Sequence, residues 1–315
     1  MALDLLPYAY FEGQFVPIEE ARVSLTTHAL QYGTGVFGGI RGYLAEDGSA
    51  INIFRLPDHF RRLRNSARMV KINLPYGVED LCELAIELTR RNEPTSNVYY
   101  RPFAYKSGQN LAPTMYGVAD EFAIFMTRLN EYYTNTSGLQ VMVSSWQRLP
   151  DVAIPSRAKI SGSYINSSLA NTEAKEYGFD EAIMLNERGK VSEGSASNLF
   201  LVRDGVLITT PVTASILEGI TRRSIIQIAR DMGIPFEERE VDRSELYIAD
   251  ELFFCGTGVQ ISGIGEVDKR PVGEEYPGPI MTALRNRFLD VVKGKVPEYR
   301  EWLTPVPIAS PIPAQ

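Results

Sequence analysis

The order in which helical and extended patterns follow one another is the feature of this sequence that most restricts its fold. Aromatic-rich runs at Val98–Tyr105 and Glu121–Thr127 predict strands, whereas Asp58–Met69 predicts a helix because its apolar residues recur at helical spacing. These patterns do not alternate in the regular strand-helix order that builds a doubly wound parallel sheet. The sequence therefore predicts an α+β fold.

Other segments carry the same two signals. Tyr8–Pro17 predicts a hairpin with Gly13 near its turn. Further strands are predicted at Ile40–Tyr43, Leu139–Trp146, Ala182–Leu185, Leu199–Val202 and Glu251–Cys255, and further helices at Ser163–Glu176 and Arg222–Met232. The prolines that follow Lys295 predict an irregular surface segment.

A polar stretch separates these elements into two groups. The chain has 315 residues, which is long enough for two ordinary domains. Asn130–Gly138 interrupts the apolar pattern and indicates the boundary. We predict a small N-terminal α+β domain over 1–127, an interdomain loop over 128–138 and a large C-terminal domain over 139–315.

The net charge and the few cysteines restrict the kind of partner. A formal net charge of −7 argues against nucleic-acid binding, which needs basic patches. Cys82 and Cys255 lie outside any C-x-x-C spacing, so they predict neither a disulfide framework nor a thiolate metal site, and they favour a reducing compartment. Met1–Tyr10 does not resemble a secretory signal, and no apolar run approaches the roughly 20 residues that span a bilayer. We expect a small-molecule partner, no nucleic-acid or membrane partner, and a cytoplasmic location.

The sequence gives little support for a dinucleotide-binding loop or for a metal or hydrolase site. Gly33–Gly38 satisfies the G-x-G-x-x-G pattern, but a predicted strand follows it where a dinucleotide-binding loop requires a helix. The glycines are better explained by a tight backbone path beside a pocket. His28 and His59 lie outside any metal-ligand or triad motif, so we predict no metal site.

The informative region begins with a lysine among small residues. In Ser156–Tyr164 that lysine is Lys159, and alone it would be interpreted as a surface residue near a turn. Three runs follow in order, Glu193–Phe200, Leu207–Thr209 and Leu217–Arg222. This ordered series resembles the signature of the class IV aminotransferases, the fold-type IV pyridoxal phosphate (PLP) enzymes. The resemblance covers most of the chain, from the predicted hairpin to Cys255–Gly258.

Within this family the sequence is most similar to the branched-chain amino acid aminotransferases. Thr27–Thr34, the Tyr-x-Arg-Pro run Tyr99–Pro102, and Val143–Trp146 carry this likeness. It implies a small N-terminal sandwich-like α/β domain and a larger C-terminal domain with a pseudo-barrel sheet. It also implies transfer of amino groups between leucine, isoleucine or valine and 2-oxoglutarate, in a homodimer or higher homo-oligomer whose active site lies near the subunit interface.

The resemblance assigns the cofactor PLP to a defined set of residues. Lys159 would bind its aldehyde covalently and move the substrate proton, Glu193 would face the ring nitrogen, and Tyr164 would meet the phenolic oxygen. The phosphate would be held by Arg62, the start of the helix after Gly219, and the Thr257 hydroxyl, with Arg61 facing away. The complete implied cofactor set is Arg62, Lys159, Tyr164, Glu193, Ala196, Ser197, Asn198, Leu217, Gly219, Ile220, Thr221, Gly256 and Thr257.

The resemblance also implies how one pocket takes an apolar and an acidic side chain. Arg101 would bind the distal carboxylate of glutamate or 2-oxoglutarate. Tyr99 and the backbone near Thr257 and Gly258 would hold the α-carboxylate. Phe37 and Tyr32 would supply apolar wall, with part of the lining from a partner subunit.

Two departures and two alternatives accompany this interpretation. Gly38 stands where the branched-chain enzymes typically carry glutamate, and Met126–Leu129 lacks an expected tryptophan; both changes could widen the substrate range. One alternative is an (R)-amine or D-amino acid transaminase on the same fold. The other is a non-catalytic PLP-binding relative, against which the pairing of Lys159 with Glu193 argues.

Overall fold

The computed structural model of the chain describes residues 3–129 and 138–308. It forms two compact units, the first comprising Met1–Asn130, Ala158–Gly162 and Asp290–Gln315, and the second Glu131–Arg157 and Ser163–Leu289. Segments 158–162 and 290–315 are grouped with the first unit, and the predicted domain ranges stay a prediction. Most of the predicted loop 128–138 lies outside the described residues.

The secondary structure mixes helices and strands throughout. The helices are α1 His28–Tyr32, α2 Leu56–Met69, α3 Val78–Asn92, α4 Tyr164–Glu176, α5 Ile220–Asp231 and α6 Pro279–Val292. The first strands are β1 Leu5–Phe11, β2 Gln14–Pro17, β3 Gly35–Phe37, β4 Ile40–Leu44, β5 Ala50–Phe54, β6 Val98–Lys106, β7 Asp120–Arg128, β8 Leu139–Val143 and β9 Glu181–Leu185. The remaining strands are β10 Val191–Gly194, β11 Asn198–Arg203, β12 Val206–Thr209, β13 Phe236–Glu238, β14 Glu251–Gly256, β15 Gln260–Val267, β16 Arg270–Pro271 and β17 Leu303–Pro307.

In the first unit a mixed-order sheet supports two longer helices. The strand order is β17-β5-β4-β6-β7-β1-β2, and β3 pairs with β6. The predicted hairpin is confirmed, with Phe11 opposite Gln14 and a turn at Glu12 and Gly13 whose φ angles of 47° and 80° are left-handed. Helix α2 is confirmed too and begins at Leu56, with Phe60 and Leu63 on its buried face.

The predicted irregular segment after Lys295 is wrong for its described part. Pro297–Trp302 forms a 3-10 helix, and β17 pairs antiparallel with β5 from Leu303 opposite Phe54 to Pro307 opposite Ala50. The prolines misled the prediction, since proline lacks the N–H that an inner strand needs. An edge strand tolerates it, because one side of the strand makes no ladder hydrogen bonds.

The second unit contains the sheet β10-β9-β8-β15-β14-β11-β12-β13, with β16 paired to β15. Its core is apolar and includes Leu199, Leu201 and Phe254, which are fully buried. Helices α4 and α5 and the strands predicted here are confirmed to within two residues, except that β8 ends at Val143. Just beyond this end, the hydroxyls of Ser144 and Ser145 donate to the Glu173 carboxylate. Both units combine helices with largely antiparallel sheets, so the predicted α+β class is confirmed.

Candidate active site

The segment that carries Lys159 lies alongside β3 in the first unit. The Phe37 N–H donates to the Lys159 carbonyl oxygen at 3.0 Å, and the Ser161 N–H donates to the Gly35 carbonyl oxygen at 2.8 Å. A Cβ at Gly33, whose φ is +65°, would lie 2.5 Å from the Gly162 Cα. The two backbones therefore approach as closely as glycine permits. This is the tight path that the Gly33–Gly38 run predicted, and a strand follows that run as expected.

Two cationic side chains, Lys159 and Arg101, lie close to the Phe37 ring in the same unit. The Lys159 Nζ lies 5.1 Å from the ring centroid and the Arg101 guanidinium carbon 4.8 Å from it. Arg101 also donates from Nη2 to the Tyr99 hydroxyl at 3.2 Å, while its buried Nε has no hydrogen-bond partner among the described residues. An arginine held in this way keeps donors available for a planar anion such as a carboxylate.

A serine in α2 connects two residues of the predicted set. The Ser66 hydroxyl accepts the Lys159 N–H at 3.2 Å and donates to the Arg62 carbonyl oxygen at 3.0 Å. Arg62 is half-buried, whereas its neighbour Arg61 is exposed and pairs with Asp58 at 2.6 Å. Arg61 therefore faces solvent, and the phosphate-binding role of Arg62 stays a prediction.

In the second unit Glu193 is a buried carboxylate surrounded by donors. Its Oε1 pairs with the Arg148 Nη2 at 2.8 Å, and its Oε2 accepts from the Asn198 Nδ2 at 2.8 Å. The Leu217 N–H donates to both oxygens, at 3.3 and 3.2 Å. Donors of this kind favour the ionised form of a buried acid, which burial alone would disfavour.

The start of α5 lies next to this acid. The Asn198 Nδ2 also donates to the Leu217 carbonyl oxygen at 2.9 Å, and a Cβ at Gly219 would lie 2.0 Å from the Asn198 Oδ1. The N–H groups of Ile220 and Thr221 have no acceptor within the helix, as is general for a first helical turn. Such a terminus suits an anion.

The remaining predicted cofactor residues of this unit have less specific surroundings. Gly256 ends β14, and a Cβ there would lie 3.9 Å from the Ser197 Cα. Thr257 and Gly258 follow in the half-buried turn to β15. Ala196 is exposed in the turn between β10 and β11, and Tyr164 is the half-buried first residue of α4.

Comparison with known proteins places this arrangement in a family. The family model of Amino-transferase class IV matches residues 35–267, more than half of the chain. The chain belongs to the class IV aminotransferases. A curated relative of this aminotransferase, the probable branched-chain-amino-acid aminotransferase of Aquifex aeolicus, is 41% identical over 302 residues, which are 96% of this chain and 97% of the relative.

Solved structures of other class IV aminotransferases agree with the fold. The branched-chain aminotransferase of Thermoproteus uzoniensis, solved with norvaline, matches with a TM-score of 0.91 and 41% identity, covering 96% of this chain and 99% of that one. The T.th. branched-chain amino acid aminotransferase, complexed with N-(5'-phosphopyridoxyl)-L-glutamate, matches with a TM-score of 0.90 and 39% identity, covering 95% and 98%. The predicted fold-type IV architecture is therefore confirmed.

The predicted site residues of this aminotransferase form two groups, one in each unit, and Tyr32 lies outside both. Phe37, Tyr99, Arg101 and Lys159 lie together in the first unit, and Glu193, Asn198, Leu217 and Gly219 lie together in the second. Tyr32 instead packs on His28, with ring centroids 4.7 Å apart, and donates its hydroxyl to the Leu111 carbonyl. It is 38% exposed.

Two side chains that the sequence analysis missed contact this set, Ser66 and Arg148. Ser66 lies four positions after Arg62 in α2, so helical spacing offered a signal for it. Arg148 follows Trp146 in an irregular segment, where no periodicity indicates which way a side chain points. The departure at Gly38 also has a structural counterpart, because a Cβ there would lie 2.6 Å from the Pro102 Cγ. The space beside Gly38 is thus already filled by the Tyr-x-Arg-Pro strand.

Proposed function

We propose that this chain uses PLP to transfer amino groups between branched-chain L-amino acids and 2-oxoglutarate. The names of its relatives support the substrate class, and the phosphopyridoxyl-glutamate complex of one relative supports the cofactor and the acidic partner substrate. The observation that carries the proposal is the shared Phe37 ring beside the Lys159 amine and the Arg101 guanidinium. A reactive amine and a receptor for a carboxylate adjoin the same apolar wall.

The residues fit the three polar groups of PLP. Lys159 offers a half-buried primary amine for the aldehyde. The start of α5 offers N–H donors that have no acceptor within the helix, and the residue before it is a glycine because a Cβ there would lie 2.0 Å from the Asn198 Oδ1. Glu193 offers a buried carboxylate for the ring nitrogen.

Each residue then has a defined task. Bound PLP supplies a ring that withdraws the electrons left on the substrate Cα when its proton departs. Lys159 would hold the aldehyde carbon in the resting enzyme, and its Nζ, once released by the substrate amine, would move the proton between the substrate Cα and the C4′ carbon of the cofactor. Glu193 would keep a proton on the ring nitrogen, and Tyr164 would donate to the phenolic oxygen.

The remaining tasks are binding and selection. Arg62, Ile220, Thr221 and Thr257 would hold the phosphate, with Ala196, Ser197, Asn198, Leu217 and Gly256 completing the cofactor set. Arg101 would bind the distal carboxylate of glutamate, whereas a branched side chain would rest on the Phe37 ring. Tyr99, Thr257 and Gly258 would hold the α-carboxylate.

We also infer that the enzyme is a homodimer or a higher homo-oligomer. Segments 26–32 and 108–112 of the first unit are joined by hydrogen bonds, including His28 N–H to the Gly108 carbonyl at 2.9 Å. These segments and their flanks expose Leu25, Leu30 and Leu111 at 83%, 58% and 79%. Clustered exposed apolar residues of this kind are typical of interaction surfaces. Tyr32 belongs to the same surface, which supports its predicted role in a wall shared with a partner subunit.

The oligomer is tested by light scattering of the purified protein. Leu111→Asp should shift the mass toward that of a monomer, whereas Val152→Asp, which is 97% exposed in the second unit, should not. A monomeric native protein would contradict this inference.

A cytoplasmic location also stays an inference; the free thiols of Cys82 and Cys255 support it. The structure contains no helix within its described residues that is long and apolar enough to cross a membrane.

The proposed activity is tested by spectrum, mass and substrate preference. Purified protein incubated with PLP should gain a visible absorption band, and borohydride should fix the cofactor to the peptide that contains Lys159. Lys159→Ala should lose both signals and nearly all turnover, and normal rates in that variant would end the proposal. Steady-state rates with L-leucine, D-alanine and (R)-1-phenylethylamine then identify the substrate class, since a preference for either of the last two would favour the alternative transaminases.

A further inference from the structure

Arg148 is fixed next to Glu193 by both its backbone and its side chain. Its N–H donates to the Leu185 carbonyl oxygen at 2.8 Å, at the end of β9. Strand β9 pairs with β10, where Met184 lies opposite Glu193. The backbone of Arg148 is therefore bonded to the strand that neighbours the one carrying the acid. The Nε donates to the Ser215 carbonyl oxygen at 3.4 Å, and the Nη2 reaches the Glu193 Oε1 at 2.8 Å.

This ion pair is well shielded from water. The side chains of Arg148 and Glu193 are 14% and 6% exposed. The other donors to the acid, the Asn198 amide and the Leu217 N–H, are neutral groups. Arg148 is thus a cation in direct contact with this buried carboxylate, and weakening the charge balance of a buried carboxylate favours its protonated form.

The charge state of Glu193 decides where the proton lies that this acid would share with the ring nitrogen of PLP. A carboxylate and a pyridine nitrogen that share a hydrogen bond can hold the proton on the nitrogen, as an ion pair, or on the acid, as a neutral pair. Stabilising the carboxylate favours the first arrangement, and removing that stabilisation favours the second. Only the protonated nitrogen makes the ring a strong electron acceptor.

We propose that Arg148 is a positioning residue that keeps Glu193 anionic, so that the proton shared with the pyridine nitrogen of bound PLP stays on the nitrogen. This inference rests on the proposed function, since it requires PLP to be the ligand. It assigns Arg148 no contact with the cofactor or the substrate. Arg148 acts through Glu193 alone.

The direct test is the nitrogen NMR shift of PLP labelled at its ring nitrogen and bound to the enzyme. The wild type and Arg148→Lys, which keeps the charge, should show a protonated nitrogen. Arg148→Met should show a deprotonated one, and its transamination rate should fall with it, because the neutral ring is the weaker electron acceptor. An unchanged nitrogen shift in Arg148→Met, or a deprotonated nitrogen in Arg148→Lys, would overturn the proposal.

A second comparison remains informative if Arg148→Met does not fold. Glu193→Gln already removes the acid through which Arg148 would act, so adding Arg148→Met to it should leave the nitrogen shift unchanged from that of Glu193→Gln alone. A further change in the double variant would show that Arg148 acts elsewhere. Lys106→Met, which removes a buried ion pair with Asp120 in the first unit, should leave the nitrogen shift unchanged.

The outcomes also separate this inference from the proposed function. A wild-type protein that binds no PLP contradicts the proposed function itself. A wild-type protein with bound PLP, whose nitrogen stays protonated in Arg148→Met, contradicts only the role of Arg148.

Discussion

The backbone N–H of Lys159 donates a 3.2 Å hydrogen bond to the hydroxyl of Ser66. The Lys159 carbonyl is held on the opposite side by the Phe37 N–H at 3.0 Å. The main chain that carries the reactive amine is thus fixed from both sides, by a helix and by a strand. Ser66 is 1% exposed, so no water can take its place without rearrangement.

We predict that Ser66→Ala slows amino transfer without releasing the cofactor. The variant removes the hydroxyl that accepts the Lys159 N–H, and losing such a buried hydrogen bond costs about 1–3 kcal/mol and should lower the single-turnover rate by about tenfold. Ser66→Thr keeps a hydroxyl and should recover most of that rate. Thr89→Val is the control, because it removes another buried hydroxyl that bonds four residues back in a helix, 2.7 Å from the Ala85 carbonyl. A loss of thermal stability with an unchanged rate in Ser66→Ala would assign the serine a purely structural role.

Arg101→Ala should separate the two kinds of substrate. The guanidinium rests on Phe37 and Tyr99 with Nε unpaired among the described residues, so its loss removes the receptor for a second carboxylate but leaves the apolar wall. We expect kcat/KM for 2-oxoglutarate to fall by about tenfold to a hundredfold, the value of a hydrogen-bonded charge. A branched 2-oxo acid should lose far less. Equal losses for both substrates would show that Arg101 is structural, and Arg61→Ala, an exposed arginine, should change neither.

Gly219→Ala should weaken PLP binding, because the added methyl group would lie 2.0 Å from the Asn198 Oδ1. Asn198 must then shift, and with it the 2.8 Å hydrogen bond that it donates to Glu193. We expect the dissociation constant for PLP to rise at least about tenfold, as overpacking a close contact costs about 1–3 kcal/mol. Gly77→Ala is a matched control, since Gly77 also precedes a helix but the nearest atom to its Cβ would be a carboxylate oxygen of Asp80, at 3.2 Å. Equal affinities in both variants would contradict the role of this contact.

The family resemblance pointed to the candidate site residues through motifs that are local in the sequence. The α2 periodicity, the Glu193–Phe200 run and the Gly219–Arg222 start of α5 each carry their geometry within a few positions. The sequence analysis missed Arg148 and the bond between Ser66 and Lys159 because these contacts are long-range: helical spacing relates Ser66 to Arg62, but not to Lys159, which is 93 positions away. The sequence analysis also missed strand β17, because its prolines disfavour a strand locally and only its position at the edge of the sheet permits one.

A surface cluster in the second unit predicts a pH dependence of stability. Hydrogen bonds from Arg239, from the Asp242 N–H and from Arg203 outweigh the opposing effect of burial and lower the pKa of Glu245 to about 2, from an ordinary value of 4.5. A carboxyl group whose pKa is lower in the folded state stabilises the fold above its unfolded pKa. That contribution is lost as the pH falls from about 4.5 through about 2.

Glu245→Gln should therefore lower the free energy of unfolding near neutral pH, by about 1 kcal/mol or less because the pair is partly exposed to solvent. Urea titrations across the acidic range measure the difference between wild type and variant, which should shrink steadily below about pH 4.5 as the wild-type carboxylate binds its proton. Glu237→Gln, a 58% exposed partner of the same Arg239, should show little difference at any pH. A deficit in Glu245→Gln that stayed constant down to about pH 2 would mean that packing or the amide of Asp242, rather than the ionised carboxylate, accounts for the stability that Glu245 provides.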